Sequence, residues 1–93
     1  PSFERELEII YLKVPEIQQS LGRQIVRFVQ TIRKQKLKKA PSIAETIDWA
    51  GALLNLGVGF IDEEIIRSTL SILLKYQSDI EKISPKVSSY LPE

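Results

Sequence analysis

The residues best suited to chemistry stand in one run, Lys38-Lys39-Ala40-Pro41-Ser42-Ile43-Ala44-Glu45. Ser42 and Glu45 have the spacing of a capping box. In it the serine oxygen accepts the N–H of Glu45, and the Glu45 carboxylate accepts the N–H of Ser42. A helix beginning at Ile43 leaves unpaired N–H groups and a positive dipole end beside two lysines. That combination attracts an anion such as a phosphate. Lys38, Lys39 and Ser42 are therefore the candidate phosphate-facing residues. The two lysines close a longer cationic run, Arg33, Lys34, Lys36, Lys38 and Lys39, and the rest of the chain is net acidic. Three readings of the run stay open: a solvated helix end, a contact with a nucleotide phosphate or a neighbouring domain, and a nucleic-acid contact. Nucleic acid is the weakest of the three. No aromatic residue interrupts the run to stack on bases, and net charge is only +1.

Other chemistries are excluded by composition. The chain has no cysteine and no histidine, so disulfides, thiolate metal sites and a histidine base are ruled out. Glu63 and Glu64 sit at an expected helix start, where the dipole favours their charged form. Glu4, Glu6 and Glu8 are expected on a solvent-facing side. Perturbed catalytic carboxylates need burial, so no catalytic residue and no metal site are assigned. The four glycines, Gly22, Gly51, Gly57 and Gly59, do not form a phosphate-binding loop. This stretch of polypeptide is not expected to hydrolyse ATP alone. Trp49 is the only tryptophan. It suits core packing, with its N–H on one partner, better than ligand stacking.

Apolar spacing says which elements must position these groups. Phe3, Leu7, Ile10 and Val14 form a helical stripe that Ser2 caps and Pro15 ends. A second helix is expected from about Gln18 to Lys34, burying Leu21, Ile25, Phe28, Val29 and Ile32. Gly22 lies inside it, either merely tolerated or admitting another backbone. The third helix runs from Ile43 to Leu56, with Gly57 as its stop. Asp62 caps a fourth, with Ile61 and Ile66 at the positions of a hydrophobic staple. Ile80 and Ile83 carry a short fifth helix or an extension of the fourth. Pro85 is expected to end regular structure.

The fold class is therefore all-α, a small orthogonal bundle of four to five helices, with a domain over residues 1–83 and a loosely held tail over 84–93. At 93 residues, 43% hydrophobic and 27% charged, the chain suits one globular domain with a modest core. No apolar run is long enough to span a membrane, and the expected compartment is the cytoplasm. The chain lacks methionine, so it is expected to be a piece of a longer protein. Replacing Ser42 by alanine is expected to cost roughly 0.5–2 kcal/mol, and Glu45→Gln less, because glutamine still closes the box.

Three separated segments also carry a resemblance. Lys39-Ala40-Pro41-Ser42-Ile43-Ala44-Glu45-Thr46-Ile47-Asp48-Trp49-Ala50 resembles the C-terminal helical lid of MoxR-type AAA+ ATPases, closest to the branch with accessory ATPases of molybdenum-containing carbon monoxide dehydrogenases. Pro1 to Ile10 is similar to the segment after that family's last core strand. Leu73-Leu74-Lys75-Tyr76-Gln77-Ser78-Asp79-Ile80 is similar to its closing lid helix. The resemblance implies a lid that closes over ATP and magnesium held by an upstream core. It also implies partners in that core and in neighbouring subunits of a ring, and chaperone-like remodelling or metalloenzyme maturation of a client protein. A lid helix of AAA+ proteins often begins with a sensor arginine. The start at Ser42 has none, and the arginine that often follows Trp49-Ala50 in the family is Gly51 here. The alternatives are a free-standing helical adaptor for a partner protein and a small DNA-binding helical domain.

Overall fold

The computed structural model describes residues 2–91, and every regular element among them is helical. Helices α1 (Phe3–Lys13), α2 (Gln19–Arg33), α3 (Ile43–Asn55), α4 (Glu63–Leu73) and α5 (Gln77–Ile83) lead into a 3-10 turn (Ser84–Lys86) and a one-turn helix, α6 (Val87–Tyr90). Local chemistry sets most boundaries. Ser2 accepts the N–H of Arg5, and Asp62 accepts that of Ile65, each capping its helix. Ser42 and Glu45 close the full capping box. Gly57 takes φ +75°, letting its N–H reach the carbonyl of Leu54 while Val58 N–H reaches Leu53. This is a Schellman stop, which an L side chain at position 57 would strain. Ile61 and Ile66 are both buried, as the staple requires. Gln18 and Lys34 flank α2 as caps, and Leu56 is the cap of α3, so both helices are slightly shorter than expected.

Helix α1 packs on α2 and α3, α2 on α3, α3 on α4, and α4 on α5 and α6. The 12.0 Å radius of gyration is that of a folded chain of this length. Trp49 and Phe28 lie fully buried at the centre, ring centroids 5.5 Å apart and tilted by 46°. The indole N–H donates to Thr69 Oγ1 at 2.8 Å, tying α3 to α4 inside the core.

The expectations for Pro85 and for the segment after it are corrected. The segment after Ile83 is not loose where it is described. Val87 is fully buried, and α6 packs against both α2 and α4. Pro85 sits within the 3-10 turn, near its start, where its missing N–H is tolerated. The end of that segment, Pro92 and Glu93, lies outside the described residues. At Gly22 the close neighbour is a side chain, not a backbone: a Cβ there would stand 2.8 Å from Tyr11 Cε1.

Candidate functional site

The loop from Lys34 to Ser42 joins α2 to α3 and crosses the first turn of α5. Its local sequence explains why it needs anchoring. It is rich in lysine, forms no regular element, and leaves backbone N–H groups to be satisfied from outside the loop. Asp79 supplies that. Its buried carboxylate accepts Lys38 N–H at 2.8 Å and Lys39 N–H at 3.1 Å, one oxygen to each. The Lys82 ammonium donates to the Lys36 carbonyl from the same helix. Arg33 Nε donates to the Pro41 carbonyl at 2.8 Å, closing the loop from the α2 side.

At the start of α3 the anion is also internal. Glu45 Oε1 accepts Ser42 N–H at 2.8 Å and the Ser42 hydroxyl at 3.0 Å. The Lys39 ammonium lies 3.2 and 3.3 Å from its two oxygens, and the Lys75 ammonium is 3.5 Å from Oε2. Burial pushes the Glu45 carboxyl up. The hydrogen bonds from Ser42 and Lys39 and the lysine charge outweigh burial, so its pKa falls to about 2. Lys38 takes a different contact, its ammonium 4.4 Å from the centroid of the Tyr76 ring.

Of the candidate residues, Lys39 and Ser42 meet at Glu45, while the Lys38 side chain turns to Tyr76. Their groups serve contacts within the chain. Ser42 and the Lys39 ammonium hold Glu45, and the Lys38 and Lys39 N–H groups hold Asp79. The Ser42 hydroxyl faces a carboxylate with a low pKa, so no group here is arranged to activate it as a nucleophile.

Three further residues organise the site. Glu6, expected to face solvent, is fully buried. Its carboxylate accepts Arg33 Nη1 and Nη2, and Gln30 Nε2 at 3.1 Å. Burial again opposes the charged form, and the bonds from Arg33 and Gln30, the arginine charge and Thr46 overcome it, leaving the Glu6 pKa lowered. Its register carried a signal: Glu6 stands three residues after Phe3 and four before Ile10, on the buried stripe. Arg33 belongs to the cationic run in sequence but turns inward. Asp79 had no spacing signal beyond its place in the first turn of α5.

A shallow open groove runs between the α1–α2 turn and α3, lined by Val14, Pro15, Glu16, Ile47, Gly51 and Leu54 among others. Exposed Leu12 and Leu56 each adjoin a lining residue in sequence. Among the described residues no helix is long and apolar enough to cross a membrane, and no cluster of acidic residues could hold a metal ion. Compared with protein-family models, curated proteins and solved structures, the chain matches none.

Proposed function

We propose that this chain is the C-terminal lid domain of a MoxR-type AAA+ ATPase, working as a rigid lever. One observation carries the reading. The three segments that resemble the family meet one another through polar contacts. Glu6 of the first is joined through Arg33 to Thr46 of the second, the Nη2–Oγ1 distance being 3.4 Å. Asp79 of the third holds the N–H of Lys39, which opens the second. Segments that share a resemblance and also share a junction support a single mechanical unit. In this reading α1 brings in the motion from the core, and the Arg33 and Asp79 junctions pass it to α3 and α5.

The residues of this chain do not fit an ATP–magnesium site of their own. The helix start that suits a phosphate is filled by the Glu45 carboxylate, and there is no phosphate-binding loop. Nucleotide and metal would be held by the core, with the lid contributing position. The test is the reading frame upstream of Pro1. A phosphate-binding loop and an acidic magnesium motif within roughly 150–200 residues, one domain's length, support the lid. A frame that lacks both overturns it. The second reading, a helical adaptor that docks a partner protein, rests on the open groove and on the exposed Leu12 and Leu56, each next in sequence to a lining residue.

A further inference from the structure

The chain has five arginines. Three meet an acid: Arg5 with Glu8, Arg33 with Glu6, and Arg67 with Glu63. Arg23 and Arg27 meet none among the described residues. Both are exposed and stand one turn apart on α2. Both guanidinium carbons lie 5.2 Å from the centroid of the same half-buried ring, Phe3.

We propose that this face of α2 is a docking surface for an acidic segment of a partner protein, whose carboxylates pair with Arg23 and Arg27. The shared ring is the main reason. Two long side chains that would otherwise sample many rotamers are drawn to one place by cation–π attraction. Less ordering entropy is then lost when a partner arrives. A guanidinium offers a planar fork that matches a carboxylate, and both forks are unsatisfied. Their spacing of one helical turn suits acids one turn apart on a facing helix. Contrast within the chain strengthens the case, because every other arginine already has its carboxylate.

Nucleic acid fits this face less well. The local aromatic ring lies beneath the guanidiniums and is not free to stack on a base. Two of the cations in the loop after α2 are also engaged within the chain. The Lys39 ammonium is on Glu45, and Lys38 is over Tyr76.

The experiment is fluorescence anisotropy with a labelled glutamate-rich helical peptide and, separately, labelled single- and double-stranded DNA. The Arg23→Gln/Arg27→Gln variant is compared with a Lys34→Gln/Lys36→Gln variant of equal charge change. Both should keep the parent's circular dichroism and melting midpoint, since all four side chains are exposed. The expected result is salt-sensitive peptide binding that weakens about tenfold or more in the arginine variant and less than about twofold in the lysine variant. Equal losses in the two variants, no peptide binding by the parent, or tighter binding of DNA than of peptide would each overturn the proposal.

Discussion

Arg33 grips Glu6 with two parallel bonds, Nη1 to Oε1 at 2.6 Å and Nη2 to Oε2 at 2.7 Å, from 27 residues further along the chain. The carboxylate has no solvent exposure, and the arginine side chain keeps 20%. Removing one partner strands the other charge in the core. Arg33→Ala should therefore cost about 3 kcal/mol or more. Replacing both partners, Arg33→Met with Glu6→Leu, should recover much of that loss, because apolar groups of similar volume leave no charge unpaired. Urea unfolding followed by Trp49 fluorescence measures both. A double variant no better than Arg33→Ala would mean that the pair is not the dominant contact there.

Acid should unfold this domain through its carboxylates. The folded pKa of Glu45 is about 2 and that of Glu6 is lowered, both below the unfolded value near 4.3. A depressed folded pKa contributes stability that is complete above the unfolded pKa and is lost as pH falls through the folded one. The Glu45 window therefore runs from about pH 4.3 down to about pH 2. Its share is on the order of 2 kcal/mol once the half-exposed lysines are discounted for screening. Glu45→Gln should flatten the fall of melting midpoint across that window. It should also cost more at pH 7 than Ser42→Ala. Glutamine can close the box, but it leaves Lys39 and Lys75 without their carboxylate. This reverses the order expected from sequence, where Glu45 was seen only as a cap. A variant with the parent's pH profile would show that Glu45 does not titrate as argued.

The helices were legible because their signals are local. Ser2, Ser42, Asp62 and Gly57 mark ends through contacts within a few residues, and the apolar stripes mark faces. The polar junctions were not legible, because each joins residues far apart in sequence. Arg33 looked like one cation among five, and its inward turn follows from Glu6 lying opposite on α1. Asp79 finds its partners about forty residues away, in a loop with no pattern of its own. Pro85 read as a terminator, because the pull of Val87 on the core is a tertiary effect.

Gly22 and Tyr11 should be coupled. Alanine at position 22 gains up to about 1 kcal/mol of helix propensity. Its Cβ would press on Tyr11 Cε1 at 2.8 Å, and overpacking of this kind costs about 1–3 kcal/mol. Gly22→Ala should thus destabilise the parent mildly and stabilise a Tyr11→Ala background. Denaturation of all four proteins of the cycle reads the sign. The same effect in both backgrounds would mean that the ring moves aside freely.

Asp79 separates a lever from a phosphate sensor. Its carboxylate holds two loop N–H groups and so fixes α5 to the start of α3. Asp79→Asn keeps the shape but replaces one acceptor oxygen by a donor, which faces an N–H and leaves a buried group unpaired. Amide exchange at Lys38 and Lys39 should then quicken in the chain itself, while exchange in the centre of α3 stays slow. On the lid proposal, the chain joined to an ATPase core should lose more ATP turnover with this variant than with Lys38→Ala, at a temperature where both remain folded. The reason is geometric. The Lys38 ammonium lies over the Tyr76 ring, whereas the Asp79 carboxylate holds the backbone of the loop at two places. From the sequence alone, Lys38 and Lys39 stand nearest the phosphate, ahead of Lys34 and Lys36. Should Lys38→Ala and Lys39→Ala abolish turnover while Asp79→Asn leaves it intact, the loop senses phosphate and the lever account fails.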